Sequence, residues 1–132
     1  MKIRLLSCLC TFILFTGICQ AQNQSDVAIL KALDKASDAQ KDSLYYELVK
    51  IYRSNEQELA KYYAHLAYTY STRNQHSAIQ IKSCYAIGFL YNQTGRYDSA
   101  IYFYEQGVDL AQKSMPDRLV YFYNDLGNVY EN

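Results

Sequence analysis

The sequence predicts an all-α fold in which antiparallel helix pairs stack into an α-α superhelix. Apolar residues recur at spacings of three and four along most of the chain, which is typical of amphipathic helices. One proline and five glycines in 132 residues are too few for the many turns of a β-sandwich or barrel. A large apolar residue followed four positions later by tyrosine also recurs, ending at Tyr52, Tyr91 and Tyr130. The equal spacing of these tyrosines gives a period of about 39 residues, which indicates repeated helical units.

The first element, residues 1–21, has the layout of a secretory signal peptide. Lys2 and Arg4 give a positive start, an apolar run follows over residues 3–18, and the segment ends at the small residue Ala21. We expect cleavage after Ala21, which would carry the protein across the inner membrane into the periplasm. The alternative is an uncleaved N-terminal helix that anchors the protein, because the apolar run approaches the length of a membrane-spanning helix.

The composition after cleavage excludes several classes of partner. The loss of Lys2 and Arg4 leaves 11 basic against 13 acidic side chains, a net charge of −2. Nucleic acid is not expected as a partner, since binding to phosphates requires clustered positive charge. Cys84 would be the only cysteine left, so neither an internal disulfide nor a cysteine metal cluster is expected. We also expect no direct contact with the membrane after cleavage.

The next three elements are predicted from capping signals and apolar spacing. An N-terminal capping helix is expected over residues 22–38, with Ser25 or Asp26 at its start. A second helix follows directly. Ser54 and Gln57 have the spacing of a capping box, which predicts that a third helix begins there.

Three further helices complete the prediction. A polar break over residues 73–77 precedes the fourth helix, and Gly95 follows its end, because glycine readily adopts the left-handed conformation there. The fifth helix opens at Tyr97 or Asp98. Pro116 suits the first turn of the sixth helix. Short breaks between helices predict that neighbours run antiparallel.

The helix pairs divide into repeats over about residues 39–72 and 79–113, with a half repeat over 117–132. Small residues are expected to let paired helices approach closely, while tyrosines fill the space between the pairs. The residues predicted to pack the repeats are Leu48, Tyr52, Ala60, Ala67, Gly88, Tyr91, Gly95, Ala100, Tyr104, Gly107, Gly127 and Tyr130.

At these residues the chain resembles the tetratricopeptide repeat family. The family's motif is matched in order by Ile87, Gly88, Tyr91, Gly95, Tyr97, Ala100, Tyr104 and Gly107. The period exceeds the family's usual length of about 34 residues, so the chain is similar to the long-repeat bacterial type with a signal peptide. Val49 in place of a glycine and Cys84 in place of an aromatic residue depart from the motif. The resemblance implies a superhelix that binds proteins or peptides.

We therefore expect a non-enzymatic scaffold for a protein or peptide partner, outside the cytoplasm. The candidates for partner contact are Tyr62, Arg96, Tyr102 and Tyr121, because rigid amphipathic rings suit peptide binding. The competing interpretation is that these tyrosines belong to the core and flanks of the repeats.

Two alternative functions stay open. The half repeat stops before its second helix, so we expect a partial chain, and the protein would then be the N-terminal sensory module of a membrane-bound bacterial signalling or transcription-regulating protein. The other alternative is a self-associating structural module, a homodimer formed through the C-terminal half repeat.

No catalytic, cofactor-binding or metal-binding residue is predicted. His65 and His76 are the only histidines, and no nearby carboxylates stand at the spacing of metal ligands. Cys84 falls on the packing face of its helix, where a thiol behaves as a small apolar group. The glycines follow the repeat and do not form a phosphate-binding loop. We therefore expect neither an enzyme nor a cofactor.

Overall fold

The computed structural model describes residues 24–131, and every regular element in that range is helical. The elements are α1 (24–33), α2 (Asp38–Tyr52), α3 (Gln57–Arg73), α4 (Ser77–Gln93), α5 (Tyr97–Ser114), a 3-10 helix (Pro116–Arg118) and α6 (Leu119–Tyr130). The all-α prediction is confirmed. The predicted signal peptide lies outside the described residues. Between residues 24 and 131, no helix combines the length and the apolar character needed to cross a membrane.

The start of α3 differs from the prediction. The helix begins at Gln57 with Glu56 at the N-cap position and no side-chain cap hydrogen bond, so Ser54 does not cap it. The reason is that the chain keeps turning after α2, where the N–H groups of Asn55 and Glu56 both donate to the Tyr52 carbonyl, at 3.1 and 2.8 Å. Ser54 therefore lies inside this turn, two residues before the N-cap position.

A capping box is found at the start of α2 instead. The Ser37 N–H donates to Gln40 Oε1 at 3.1 Å. One turn later, the buried Asp42 carboxylate accepts a hydrogen bond from Asn74 Nδ2 at 3.3 Å and lies 3.1 Å from His76 Nδ1. These contacts hold the α3–α4 turn against α2.

Two interhelical turns contain a residue in the left-handed conformation. Gly95, between α4 and α5, has φ 70°, and Gln75, between α3 and α4, has φ 55°. Each stands two residues after the end of the preceding helix. Glycine adopts this conformation without steric cost, whereas the Cβ of Gln75 clashes with the following carbonyl oxygen.

The α4 and α5 helices approach closely because Gly88 has no side chain. A Cβ atom on Gly88 would lie 2.5 Å from Tyr104 Cε1 and 2.6 Å from Tyr104 Cδ1, so the tyrosine ring takes the place of a side chain. The same arrangement joins α5 to α6, where a Cβ on Gly107 would overlap the ring of Phe122. We call this packing of a ring on a glycine a ring-on-glycine contact.

The helices form two layers. The backbone of α4 approaches those of α2 and α6 on one side of the molecule, and these three helices are the inner layer. On the other side, α3 and α5 meet through the side chains of His65, Tyr68 and Phe103. Helices that lie closer on one side than on the other form a curved row, as the predicted superhelix requires.

The buried apolar residues form two clusters. The larger cluster joins α4, α5 and α6 around Tyr104 and Phe122. The smaller one joins α2, α3 and α4 through Val49, Ala64 and Ile87. Predicted packing residues that are fully buried include Leu48, Ala60, Ala67 and Ala100.

The last predicted packing positions are placed differently. No atom lies within 4 Å of a Cβ added to Gly127, and Tyr130 is 64% exposed. The half repeat stops before its second helix, and no helix lies against this face of α6 in the part of the chain that the structure describes. Among the described residues, Gly127 therefore makes no close helix contact.

Candidate functional site

The inner layer encloses a cavity of about 310 Å³ between α2, α4 and the start of α6. We call it the inner groove. Its lining residues are Tyr46, Arg53, Ile81, Lys82, Tyr85, Arg118, Tyr121 and Phe122. Each of the three inner helices, or the turn beside it, therefore contributes one basic residue and one tyrosine.

The three basic residues of the inner groove are weakly engaged by the protein itself. Arg118 Nε lies 3.6 Å from the exposed Asp117 carboxylate, a pair that contributes little because water screens it. Within residues 24–131, neither Arg53 nor Lys82 has a carboxylate within ion-pair distance. Lys82 Nζ lies 6.0 Å from the centre of the Tyr46 ring instead. The groove thus presents positive charge that a ligand can neutralise.

Two tyrosines of the inner groove, Tyr46 and Tyr85, remain protonated because burial raises their pKa values. The Tyr85 ring centre lies 6.3 Å from that of Tyr121 and 5.5 Å from that of Phe122. Burial, followed by a hydrogen bond to Asp125, raises the pKa of Tyr85 to about 12. Burial also raises the pKa of Tyr46, against the opposing charges of nearby basic residues. Near neutral pH these phenols are therefore hydrogen-bond donors.

Asp125 lies beside the tyrosines of the inner groove, and its oxygens are engaged by phenols. Asp125 accepts a hydrogen bond from Tyr104 Oη at 3.4 Å and also interacts with Tyr85. Asp125 is partly buried between α4, α5 and α6, so its charge is directed at these phenols. The groove as a whole therefore favours anionic groups.

The four residues predicted to contact a partner do not form one site. Tyr121 lines the inner groove. Tyr62 and Tyr102 lie on α3 and α5 of the outer layer, 59% and 57% exposed. Arg96 lies in the α4–α5 turn, with its guanidinium carbon 4.7 Å from the centre of the Tyr91 ring. Of the four, Tyr121 alone lines the inner groove, and contact of any of them with a partner stays a prediction.

Tyr62 borders a second, more open cavity of about 420 Å³ between α1, α2 and α3. Val27, Leu30 and Tyr63 also line it, together with Lys31 and Asp34, whose charges oppose each other. The rings of Tyr45, Tyr62 and Tyr63 form a cluster in this cavity, but it lacks the excess of one charge that the inner groove has. We therefore treat the inner groove as the functional candidate.

Tyr121 is the one lining residue of the inner groove that the sequence predicts as a partner contact, although the repeat period also indicates other lining residues. Tyr46 and Tyr85 are one repeat period apart, and so are Lys82 and Tyr121. Each pair therefore occupies one equivalent position on the first helices of successive repeats, which form the inner layer. Arg53 and Arg118 lie outside the helices α2 and α6, so the period gives no comparable signal for them.

The repeated tyrosines bridge neighbouring helices as their period suggests, except at the last position. Tyr52 Oη donates to Asp26 Oδ2 at 2.6 Å, and this hydrogen bond is the main cause of its raised pKa. The ring of Tyr91 stacks on Phe103 of α5 at 6.0 Å, and its hydroxyl lies 3.3 Å from His65 Nε2 of α3. These tyrosines serve packing between units.

Cys84 is the one cysteine among the described residues, and its surroundings disfavour reaction. Cys84 is buried, and the loss of solvation raises the pKa of its thiol to about 12, so it is a poor nucleophile. Between residues 24 and 131, no group of three or more histidine, cysteine, aspartate or glutamate side chains is placed to hold a metal ion. The arrangement of the inner groove supports binding.

These features define a class of protein, a helical-repeat fold with a groove on its inner layer. The tetratricopeptide repeat family model matches residues 81–114, which span most of α4 and all of α5. The match supports the tetratricopeptide repeat family for this chain and, with the helical fold, a scaffold for protein–protein interaction. No curated protein and no solved structure matches the chain.

Proposed function

We propose that the protein is a non-enzymatic scaffold whose inner groove binds an acidic peptide segment of another protein. The observation that carries this proposal is the convergence of Arg53, Lys82 and Arg118 on one cavity between α2, α4 and α6. The tetratricopeptide repeat match supports a role in interaction, since such repeats typically bind proteins and are typically not catalytic.

The charge of the inner groove specifies the chemistry of the ligand. Side-chain carboxylates of a peptide would exchange water for charge-assisted hydrogen bonds with Arg53, Lys82 and Arg118, each contributing about 1.5–3 kcal/mol when shielded from solvent. The arginines are suited to bidentate contacts with carboxylates. The uncompensated charge would also accelerate encounter with an acidic segment.

The tyrosines of the inner groove specify the rest of the ligand. Tyr46, Tyr85 and Tyr121 offer large, rigid surfaces that lose little conformational entropy on binding. The Tyr46 hydroxyl, whose pKa burial raises, can donate to a carboxylate or main-chain oxygen of the peptide, whereas the Tyr85 hydroxyl is engaged with Asp125. We therefore expect the ligand to combine acidic residues with apolar or aromatic ones.

Selection from a displayed library of random peptides tests this function. Enriched peptides should contain aspartate or glutamate beside apolar residues, and their affinity should fall as NaCl is raised. Lys82→Gln and Arg118→Gln should each weaken binding about tenfold, equivalent to about 1.4 kcal/mol. Lys113→Gln is the matched control, because Lys113 is exposed on α5 of the outer layer.

Two results would overturn the proposal in different ways. If the selection enriches no peptide, the scaffold function itself is refuted. If it enriches peptides without acidic residues, and Lys82→Gln has no more effect than Lys113→Gln, the protein still binds peptides but not through the charge of the inner groove.

We further propose that the protein acts in the periplasm after removal of residues 1–21. The basic start, apolar run and small residue at the expected cut support this location. Cell fractionation with N-terminal sequencing tests it, and a mature chain that begins at Gln22 is expected. A protein that stays in the membrane with residues 1–21 attached would instead indicate an anchor.

The sensory alternative is a proposal that the gene itself tests. It is supported by the predicted signal peptide together with the repeat period of about 39 residues, which resembles the long-repeat bacterial type. Reading the gene beyond the codon for Asn132 distinguishes the two functions. Further repeats, one apolar span and an output domain would favour a sensor, and a stop codon would contradict it.

A further inference from the structure

The hydroxyl of Tyr46 lies where the positive charges of the inner groove meet. Lys82 Nζ of α4 lies 6.0 Å from the centre of the Tyr46 ring. Burial raises the pKa of the Tyr46 hydroxyl, and the charge of Arg53 opposes this rise. Lys50 and Arg118 oppose it as well, so their charges also lie near the phenol. Cations from three parts of the chain therefore surround one hydrogen-bond donor.

The acidic side chains nearby leave this cluster positive. Glu47 forms an ion pair with Lys50 of the same helix, so these two charges cancel. Asp117 is exposed, and its carboxylate lies 3.6 Å from Arg118 Nε, where water screens the pair. The charges of Arg53 and Lys82 therefore stay available to a ligand.

Two hydrogen-bond donors of the inner groove have no acceptor in the part of the chain that the structure describes. Arg118 Nε is shielded from solvent, yet no acceptor in residues 24–131 lies within hydrogen-bond distance of it. The Tyr46 hydroxyl likewise has no hydrogen-bond partner in this range. Shielded donors without an acceptor are rare in folded proteins. This pair beside a cavity indicates that a ligand supplies the acceptors.

A phosphate monoester fits these donors better than a carboxylate does. A carboxylate presents two oxygens in one plane, which the fork of a single arginine satisfies. A phosphate monoester presents three strong acceptor oxygens and carries a charge of about −1.5 to −2 near neutral pH. It can accept from Arg53, Arg118 and Tyr46 at once, because its oxygens point in three directions. Lys82 adds a point charge beside them.

We propose that the inner groove holds a phosphate monoester at the Tyr46 hydroxyl, carried on an aromatic ring as in a phosphorylated tyrosine of the bound peptide. The ring follows from the cavity, since Tyr85, Tyr121 and Phe122 line the same space and meet edge to face. A volume of about 310 Å³ is small for a ligand site and suits one such side chain. This inference rests on the proposed function, because the phosphate belongs to the peptide that the scaffold binds.

Isothermal titration calorimetry with short synthetic peptides tests the inference. The peptides share glycine and alanine flanks and differ only in a central phosphotyrosine, tyrosine or glutamate. The phosphotyrosine peptide should bind at least about tenfold more tightly than the glutamate peptide. Phenyl phosphate should displace it at lower concentration than inorganic phosphate does, because only phenyl phosphate contacts the rings.

Two conservative variants test the placement of the phosphate. Tyr46→Phe removes only the hydroxyl and should weaken binding of the phosphotyrosine peptide about tenfold without lowering the melting temperature, since that hydroxyl bonds to no described residue. Arg118→Lys keeps the charge, removes the Nε donor and should also weaken binding. Tyr102→Phe is the matched control, because Tyr102 is exposed on α5 of the outer layer.

The inference and the proposed function fail in different ways. If the glutamate peptide binds as tightly as the phosphotyrosine peptide, or Tyr46→Phe has no more effect than Tyr102→Phe, the phosphate site is refuted. It is also refuted if inorganic phosphate competes as well as phenyl phosphate, since the groove would then take free phosphate. In each case, acidic peptides enriched from the displayed library would still support the scaffold, and an empty selection would refute both.

Discussion

Replacing Gly88 by alanine should destabilise the fold, although alanine is the better helix former. The new Cβ would lie 2.5 Å from a ring carbon of Tyr104, about 1 Å closer than the optimum of about 3.5 Å for two carbons. The ring cannot move away freely, since Tyr104 is fully buried between the rings of Tyr85 and Phe122, at centre distances of 6.0 and 6.2 Å. Overpacking of this kind costs about 1–3 kcal/mol.

Gly127→Ala is the matched control, because Gly127 occupies the same repeat position in open space. Both substitutions gain about 0.8–1 kcal/mol of helix propensity. The difference between the two variants therefore isolates the overlap with Tyr104 at about 1–3 kcal/mol. Gly127→Ala alone should raise the free energy of unfolding.

Urea denaturation followed by circular dichroism measures both variants, at a concentration where the wild-type chain sediments as a monomer. Gly88→Ala should lower the midpoint and Gly127→Ala should raise it, with little change in the slope. If Gly88→Ala were as stable as Gly127→Ala, the ring-on-glycine contact between α4 and α5 would be refuted.

Three further predictions concern single residues. Gln75→Gly should raise the free energy of unfolding by about 0.5–1 kcal/mol in urea titrations, because it relieves a left-handed residue with φ 55°; an unchanged or lower value would contradict this reason. Near pH 8, Cys84 in the folded protein should react with iodoacetamide about a thousandfold more slowly than an ordinary thiol, since a pKa of about 12 leaves little thiolate. Mass spectrometry of the peptide that contains Cys84 measures the labelling, and rapid labelling would contradict the prediction. Burial, and then the charge of Lys61, lowers the pKa of His65 below its ordinary value of 6.5, so the unfolded chain binds the proton more tightly. Stability should therefore fall as the pH drops below about 6.5, and His65→Gln should lose this part of the pH dependence in thermal melts.

The helices and their order follow from the sequence because local signals determine them. Apolar spacing and the break residues located α4, α5 and α6 closely, and the left-handed φ of Gly95 is one that its residue type favours. The prediction failed at Ser54, where a capping pattern competes with a turn stabilised by the Tyr52 carbonyl. A local pattern does not show which of two local structures the chain adopts.

The inner groove was harder to predict because it is assembled from three repeats. Lys82 resembles any solvated lysine until α2 and α6 are placed beside α4. Their rigid amphipathic rings make Tyr62 and Tyr102 candidates for partner contact in the sequence, and both lie on the outer layer. Whether a helix belongs to the inner or the outer layer depends on how the repeats pack on one another. A single sequence indicates that packing only through the period of its repeats.

The ring of Phe122 lies at the junction between one helical unit and the next, where it acts as a spacer. Axes of packed helices stand about 8–10 Å apart, and the distance depends on the side chains at the contact. A smaller residue at this position would draw α6 toward α5 and tighten the arc, while a larger one would open it. For the proposed peptide scaffold, this one side chain would therefore set how much of a ligand the inner layer can contact, without a change in any helix.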